Sequence, residues 1–460
     1  STDPSFGVIN YSSVTNQTSL TTTLPQATYY WRIKTEDNAS NYQLSTINYS
    51  LLIDSTPPST PILSTPLNGA VTNQMGITFS WEEADDSGFR GGSGVFGYEI
   101  YVSTTSDFSV WTTSAFVSVI NYTATLPQDL YYWRVRAVDN ASNYGLWTMS
   151  YQLIIDTTPP KIDDQQEGDD QWRNNPGTTY NVYFEDKLSK LHTVQYTIYT
   201  STDQKPETLV KEWTTIATNI NDVSFTIPWT VDFSALPQNT TCYVSVRAWD
   251  NLLQYATSYN VFYILKDVTK PTITDNQLGD DTWRRINDGL YSVFFADDGG
   301  SKLQKFQTKI MSGPLLSGTT IQDWTDNETI ISGATFYNTT WSLNQSSWDL
   351  MPEGKSYVSV KVFDNSYSPT LGFNSDSLAD IFYVLKDTTL PTIINNQTGD
   401  YTWRNSNYAT YDVDFLDTNS GSGIHKFEII ASTDVGQDFS LALCSWTEVV
   451  STNTYSYTQN

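Results

Sequence analysis

Residues 131–160 read YYWRVRAVDNASNYGLWTMSYQLIIDTTPP. Tyr131, Trp133 and Val135 alternate with polar residues, which predicts a β-strand with one buried face because successive side chains point to opposite sides. The DNASN sequence that follows favours a turn, since short Asx side chains bond to nearby backbone. A second apolar run, residues 149–155, ends in DTTPP, where proline cannot donate a sheet hydrogen bond. The stretch therefore predicts a β-hairpin followed by a stiff linker.

This pattern recurs along the chain. An Asp-Asn pair ends the first strand each time, at 37–38, 139–140, 250–251 and 364–365, and an aspartate begins each linker, at Asp54, Asp156, Asp267 and Asp387. The linker aspartates are spaced by 102, 111 and 120 residues, about the size of one small domain. We predict domains at 58–157 (unit 1), 158–270 (unit 2) and 271–390 (unit 3), flanked by the C-terminal part of a domain at 1–57 (leading segment) and the N-terminal part of another at 391–460 (trailing segment).

The units are of two kinds. The leading segment and unit 1 share a TLPQ-x-x-YYWR sequence, whereas units 2 and 3 and the trailing segment open with a Gly-Asp-x-x-Trp-Arg box. Two explanations of the partial domains are open. Either they are pieces of a longer array, or residues 391–460 of one copy are completed by residues 1–57 of the next, which would build a filament. Because the two partial domains are of different kinds, we favour the longer array.

The fold class predicted from this pattern is all-β, in tandem antiparallel β-sandwiches. Short strands with turn signals every 8–12 residues are typical of that architecture, and no apolar period of 3.6 indicates a long helix. The motifs GYEIYVS, LPQ-x-x-YYWRVRAVDNASNYGLW and DTTPP of unit 1 resemble those of fibronectin type III and bacterial Ig-like repeats of cell-surface proteins. The box-bearing units look like diverged Ig-like relatives. The resemblance implies repeated sandwiches on a cell surface, which serve as spacers, adhesins or enzyme appendages.

Composition excludes several classes of protein. The chain has 460 residues, a formal net charge of −26 and a pI near 4.2, which argues against nucleic-acid binding because phosphates need clustered Lys and Arg. No apolar run is long enough for a membrane span. The two cysteines, Cys242 and Cys444, lie in different repeats and cannot form a disulfide framework. The acidity indicates either surface solubility or binding of divalent cations.

No catalytic site is predicted. His192 and His425 occupy equivalent positions, but the intervening repeat has Gln304 there, and glutamine cannot replace a general base. No phosphate-binding loop, nucleophile elbow or His-rich metal motif occurs. We therefore expect a protein that is not an enzyme.

Aspartates are the strongest candidates for a site. In a seven-stranded sandwich, the linker from the preceding unit arrives at the same end as two loops, so three or four carboxylates should converge there. The resulting groups are Asp54, Asp85, Asp86 and Asp139; Asp156, Asp186 and Asp250; Asp267, Asp297, Asp298 and Asp364; and, in the trailing segment, Asp387 and Asp417. Calcium, which takes 6–8 oxygen ligands, would relieve the repulsion and stiffen the joint. The resemblance implies the same, because similar bacterial Ig-like repeats use calcium at domain junctions. The alternative is that these aspartates only form turns.

Two further kinds of site are predicted. Trp172, Trp283 and Trp403 of the boxes could stack on sugar rings, although a structural role, with Trp covering the sandwich edge and Arg on its face, is favoured. Asn-x-Ser/Thr sequons could carry glycan on an exported protein, at Asn10, Asn16, Asn38, Asn48, Asn121, Asn140, Asn239, Asn327, Asn338, Asn344 and Asn396.

The sequence thus predicts a structural segment of an extracellular stalk, filament or adhesin, with calcium at its joints and with copies of itself, other surface proteins or glycans as partners. A second hypothesis is a carbohydrate-binding accessory array of a secreted enzyme.

Overall fold

The chain is described in a computed structural model over residues 1–87, 92–164, 166, 170–277, 279–397, 401, 403–405, 413–417, 421–427 and 454–456. Most of the trailing segment, including Cys444, therefore lies outside the described residues. Within them the secondary structure is almost entirely β-strand. The all-β prediction is confirmed.

The leading segment contains two hairpins. They are formed by β1 (Ala27–Trp31) with β4 (Tyr49–Ile53), and by β2 (Lys34–Glu36) with β3 (Tyr42–Leu44). Trp31 pairs with Tyr49 in the first hairpin, just as Trp133 pairs with Tyr151 in unit 1. The near-identical sequences of the two regions therefore adopt the same strand register.

Unit 1 is a sandwich of two sheets. Its strands are β5 (Ile62–Thr65), β6 (Ala70–Thr72), β7 (Gly76–Glu82), β8 (Val95–Ser103), β9 (Thr113–Val117), β10 (Asn121–Thr125), β11 (Asp129–Asp139) and β12 (Tyr151–Ile155). One sheet has the order β10-β7-β5 and the other the order β6-β12-β11-β8-β9. Neighbouring strands are antiparallel except for β6, which runs parallel to the last strand, β12.

Unit 2 repeats this topology. Its strands are β13 (Lys161–Asp163), β14 (Trp172–Arg173), β15 (Tyr183–Glu185), β16 (Leu191–Tyr199), β17 (Leu209–Thr218), β18 (Ser224–Phe225), β19 (Thr241–Asp250) and β20 (Tyr255–Lys266). The smaller sheet is β13-β15-β18, and the larger one contains β17-β16-β19-β20-β14. Single turns of 3-10 helix lie at Pro206–Thr208 and Phe233–Ala235.

Unit 3 and the trailing segment continue the series. The strands are β21 (Thr272–Asp275), β22 (Trp283–Arg284), β23 (Val293–Ala296), β24 (Leu303–Met311), β25 (Thr320–Asp326), β26 (Phe336–Tyr337), β27 (Gly354–Ser368), β28 (Gly372–Lys386), β29 (Thr392–Asn395), β30 (Val413–Leu416) and β31 (Thr454–Ser456). Helix α1 (Gln345–Leu350) has six residues, so the expectation that units 1 to 3 contain no long helix holds for the described residues.

Each unit has its own hydrophobic core between its two sheets. In unit 1, Trp81 and Trp133 are buried, and Trp133 packs on Phe79 with ring centroids 5.1 Å apart. The predicted alternation along β11 is present, since Tyr131, Trp133, Val135 and Ala137 are buried whereas the intervening residues are half-buried. The boundaries of the domains remain predictions, but the cores fall within them.

The last strand of every unit leads directly into the linker. The Trp-Arg strands β14 and β22 pair parallel to the ends of β20 and β28, next to Asp267 and Asp387. In addition, Arg173 of β14 pairs with Tyr367 of β27, so the larger sheets of units 2 and 3 join into one sheet of ten strands. The fold therefore places strand ends, linkers and loops together at each joint.

Replacing Trp133 with alanine should destabilise unit 1 alone. The side chain is completely buried, and Trp→Ala changes in cores cost about 3–5 kcal/mol. Calorimetry of the whole chain should show the free energy of unfolding of unit 1 lowered by that amount and that of the other units unchanged. Trp111→Ala is the matched control, because Trp111 is 58% exposed. A uniform loss of stability across all transitions would contradict separate cores.

Candidate metal centre

Three groups of three aspartates lie at the joints of the chain. They are Asp54, Asp86 and Asp139; Asp156, Asp186 and Asp250; and Asp267, Asp297 and Asp364. In each group, one carboxylate oxygen from each residue lies within 4.8 Å of the others. Every triad combines a linker aspartate with two aspartates of the unit that follows it. The structure therefore brings together the residues that the sequence pattern grouped.

The linker aspartate is held by the next unit. It follows directly after the last strand of one unit, and one of its carboxylate oxygens accepts the backbone N–H of a serine in a loop of the next. These bonds are Ser93 to Asp54 at 2.7 Å, Ser189 to Asp156 at 3.0 Å, and Ser301 to Asp267 at 3.1 Å. The same serine position thus anchors each linker.

The second aspartate of each triad lies in that same loop. It accepts the N–H of the residue after the serine where such a bond is seen, as in Gly94 to Asp86 at 2.7 Å and Lys190 to Asp186 at 2.8 Å. That residue has a positive φ in each unit: 83° at Gly94, 68° at Lys190 and 68° at Lys302. The left-handed conformation turns two successive N–H groups toward the carboxylates, as in an anion-binding nest.

The third aspartate belongs to the Asp-Asn pair and starts the turn of the last hairpin. Oδ1 of Asp139 accepts the N–H groups of Ala141 and Asn143, and Oδ1 of Asp250 accepts those of Leu252 and Gln254. The predicted Asx turn chemistry is therefore present. It fixes these carboxylates while leaving them at the joint.

The hairpin also bonds to the linker backbone. The carbonyl oxygen of Asp54 accepts from the amide of Asn143 at 3.1 Å, and that of Asp156 accepts from Gln254 at 3.1 Å. At the third joint, the hydroxyl of Ser366 donates to the carbonyl of Asp267 at 2.6 Å. Both the side-chain carboxylate and the backbone carbonyl of the linker aspartate are therefore hydrogen-bonded to the following unit.

Burial and like charge raise the pKa of several of these carboxyls. Burial, and then Asp156 and Asp250, raise the pKa of Asp186. Burial, with Asp267 as a further cause, raises the pKa of Asp297. Burial, followed by the charges of Asp267 and Asp297, raises the pKa of Asp364 to about 7. Without a counter-charge, the second and third triads are therefore electrostatically unfavourable when ionised.

The third triad contains a buried oxygen that has no hydrogen-bond partner. It is Oδ2 of Asp364, a residue with 0% exposure. An unpaired buried carboxylate oxygen is costly unless a cation or donor satisfies it. Carboxylate oxygens in flexible geometry are the ligands that Ca²⁺ prefers, so the donor set fits that ion. His and Cys ligands, which would favour zinc, are not part of any triad.

The trailing segment repeats half of the arrangement. Ser422 donates to Asp387 at 2.8 Å and Gly423 to Asp417 at 2.7 Å, and both aspartates are buried. Oδ1 of Asp417 is a buried oxygen without a partner among the described residues. This is the partial set that the sequence predicted.

Two predicted ligands lie outside the triads. Asp85 is exposed and accepts from the N–H and hydroxyl of Ser87. Asp298 is exposed, and its backbone carbonyl accepts from the side chain of Asn239. In both pairs of consecutive aspartates, only one side chain can face the joint. Asp86 and Asp297 occupy that position.

The Trp-Arg boxes tie the first strands to the last strand of the same unit. Arg284 pairs with Asp280 at 2.7 Å, and the neighbouring Asp281 accepts from the hydroxyl of Tyr383. Trp172 and Trp283 are half-buried in this arrangement, whereas Trp403 is fully exposed. Two of the three proposed stacking residues thus lie within strand pairs. Sugar stacking stays a prediction.

The sequons differ in exposure. Asn327 and Asn344 are buried, and their amides donate to the carbonyls of Ser342 and Asp326, so the folded chain does not present them. Asn140 is exposed, but its amide nitrogen donates to the carbonyls of Ser93 and Gly94. Asn10, Asn16, Asn38, Asn48, Asn121, Asn239, Asn338 and Asn396 are also exposed. Glycosylation stays a prediction at these positions.

Each linker is also held by a side-chain clamp that was not predicted from the sequence. Gln128 of the LPQ motif accepts from the N–H of Thr157 at 2.9 Å and from its hydroxyl at 3.0 Å. Gln238 donates to Thr269 at 2.9 Å, and Glu353 accepts from the N–H of Thr388 at 2.9 Å. The available signal was the recurrence of LPQ at residues 24–26, 126–128 and 236–238, each before a linker, although unit 3 has Met-Pro-Glu at 351–353 instead.

Other candidate chemistry is sparse in the described residues. His192 is half-buried and its Nδ1 lies 2.7 Å from the hydroxyl of Thr193, while His425 is exposed. Cys242 is buried, which raises the pKa of its thiol to about 11. No described helix has both the length and the apolar character needed to traverse a lipid bilayer.

No protein-family model and no curated protein sequence matches the chain. Solved structures that are similar include a tetra-tandem repeat in the extending region of a large adhesion protein (15% identity, 79% of this chain and 82% of that one, TM-score 0.28). Others are fibronectin(III)-like modules of Clostridium thermocellum CbhA (11%, 45% and 94%, 0.21) and the FN1–FN3 domains of chicken CNTN1 (12%, 71% and 99%, 0.23). By its own strand order, the chain folds as tandem antiparallel β-sandwiches with an Ig-like or fibronectin type III-like topology.

In the absence of metal, unit 3 should lose stability as the pH rises toward 7. The pKa of Asp364 is about 7 in the folded chain, above its ordinary value of 3.8. The folded state therefore holds a proton that the unfolded chain has released, and stability present at low pH is lost as the pH rises through 7. The slope per group is at most about 1.4 kcal/mol per pH unit.

Thermal unfolding in chelator between pH 5 and 8 measures this effect. Asp364→Asn should flatten the pH dependence of the unit 3 transition. Asp376→Asn is the control, because Asp376 is an exposed carboxylate of the same unit. A unit 3 transition that becomes more stable from pH 6 to pH 8 in chelator would contradict the assignment.

Proposed function

We propose that the chain is a non-enzymatic structural segment of an extracellular stalk, filament or adhesin, in which calcium at the joints restricts bending between sandwiches. The observation that carries the proposal is the composition of the triads: each joins one linker aspartate to two aspartates of the following unit. A cation held by all three would cross-link the linker to both loops. Its binding energy would then oppose any rotation that separates them.

The chemistry of the donors supports calcium over other cations. Each triad supplies carboxylates alone, and Ca²⁺ accepts irregular sets of oxygen ligands, whereas Mg²⁺ demands near-octahedral geometry and retains its waters. Zinc and copper would favour nitrogen or sulfur ligands. Extracellular modules bind calcium with a Kd on the order of 10⁻⁴–10⁻³ M, which suits a site that shares its carboxylates with backbone N–H donors.

A surface location fits the remaining features. The net charge of −26 keeps a repeated protein soluble and discourages contact with nucleic acid. The two cysteines lie in different repeats and give the sandwiches no disulfide framework, and the linkers contain proline. Partners would be copies of the chain, other surface proteins or glycans. We propose structural spacing or adhesion as the role of the array.

The carbohydrate-binding accessory array is the weaker alternative. Its candidate platform was the Trp-Arg box, but Trp172 and Trp283 lie in strands that pair with the last strand of their unit. A residue that holds two strands together is poorly placed to stack on a sugar. Loss of glycan binding on Trp283→Ala, with the fold retained, would favour this alternative.

Calcium should stabilise the chain and stiffen its joints. Titration calorimetry should detect binding at the three complete triads, and calcium at 100 times Kd should add ~2.7 kcal/mol per site to the free energy of unfolding. Asp156→Asn combined with Asp250→Asn should abolish the calcium-dependent increase in the free energy of unfolding of unit 2. Asp222→Asn, which changes an exposed aspartate of the same unit, should leave it intact.

Small-angle scattering tests the mechanical part of the proposal. The maximum dimension of the chain should be larger and better defined in calcium than in chelator. Identical scattering and identical unfolding temperatures in the two conditions would remove calcium from the proposal. Any stiffness of the joints would then come from the linkers and from contacts between protein groups.

A further inference from the structure

The last hairpin of unit 3 is longer than those of the other units. Strands β27 and β28 have 15 residues each, against 10 and 12 for β19 and β20. The interval from the Asp-Asn pair to the next linker aspartate is 23 residues in unit 3, from Asp364 to Asp387, and 17 in the others. Six added residues therefore extend the hairpin past the triad.

The extension reaches back onto unit 2. The amide of Asn174 donates to the carbonyls of Ser366 at 3.3 Å and Gly372 at 3.1 Å. The amide of the adjacent Asn175 donates to the hydroxyl of Thr370 at 3.1 Å. Both asparagines follow directly after the Trp-Arg strand of unit 2. The strands β14 and β27 are also paired there, so the sheet continues across the joint.

Further contacts surround the linker between these units. Asn374 donates to the carbonyls of Asp267 at 3.3 Å and Thr269 at 3.1 Å. On the other side, Asn239 of unit 2 donates to the carbonyl of Asp298. The ring of Trp172 lies so close to the loop of unit 3 that a Cβ on Gly300 would stand 3.0 Å from it. Contacts thus enclose the linker on several sides.

The joint between units 1 and 2 is built more sparsely. Asp156 receives the bonds of Ser189 and Gln254 there. In the part of the chain that the structure describes, no strand of unit 1 pairs with a strand of unit 2. Domains joined by a small interface are expected to move relative to one another.

We infer that units 2 and 3 form one rigid body whose joint holds without a bound cation, so that cation-dependent bending is confined to the sparser joints such as that at Asp156. The interlock rests on contacts between protein groups alone. It deepens the proposed function by assigning which joints calcium regulates, and only that assignment rests on the proposed function.

Distances between spin labels test the inference on the full chain. Labels are placed at Ser118 in unit 1, Glu207 in unit 2 and Ser346 in unit 3, all exposed, by substitution with cysteine. Cys444 is replaced with serine, and Cys242 is fully buried and escapes labelling. Double electron–electron resonance is recorded for the pairs 118–207 and 207–346, in calcium and in chelator.

We expect the 118–207 distribution to widen about two-fold or more in chelator and the 207–346 distribution to stay unchanged. Asn174→Ala with Asn175→Ala should widen the 207–346 distribution in chelator, and added calcium should narrow it again. The matched control is Asn338→Ala, at an exposed asparagine of unit 3 that is not one of the residues bonded across the joint. It should leave both distributions unchanged.

The outcomes separate the two proposals. If chelator widens both wild-type distributions equally, the interlock is overturned while calcium stiffening stands. If chelator changes neither, calcium stiffening fails, and the asparagine variants then decide the interlock. A 207–346 distribution that stays narrow in the double alanine variant would overturn the contribution of the extended hairpin.

Discussion

The array depends on the hydrogen bonds made by the aspartate at the start of each linker. Its carboxylate accepts an N–H from the next unit, and its carbonyl accepts from the hairpin of that unit, so the linker is bonded to both loops that meet it. Because the same residue follows directly after the last strand of the preceding unit, its position is fixed from both sides. The convergence of three carboxylates follows from that placement. The proposal of a bound cation is based in turn on that convergence.

Much of this arrangement could be predicted from local sequence. Alternation along residues 131–137 identified a half-buried strand, and the Asp-Asn turns bond as short Asx side chains do. The grouping of aspartates succeeded because a sandwich fixes which loops share an end with the incoming linker. The predicted groups wrongly included Asp85 and Asp298, because the side chains of consecutive residues point in different directions and only one of each pair can reach the triad. The sequence pattern alone does not indicate which of the two aspartates it is.

Contacts between residues distant in sequence could not be predicted in this way. Asn174 and Ser366 are separated by 192 residues, and no local preference of either indicates the other. The clamp of Gln128 on Thr157 is similar, because a glutamine after Leu-Pro is compatible with many loops. In both cases the repeats do differ or agree in a visible way: the interval after the Asp-Asn pair is longer in unit 3, and LPQ recurs before linkers. Neither feature predicts a contact until it is known which elements face each other across the joint.

The parallel pairing of β14 with β20, and of β22 with β28, has a mechanical consequence. A pull along the array enters a unit at its first strands and leaves through its last strand, so it slides these parallel neighbours past one another. Hydrogen bonds loaded in that direction must yield together rather than one after another. The ion pair of Arg284 with Asp280 and the bond of Tyr383 to Asp281 lie beside the same seam. We therefore expect units 2 and 3 to resist force first at this seam, close to where the chain enters and leaves them.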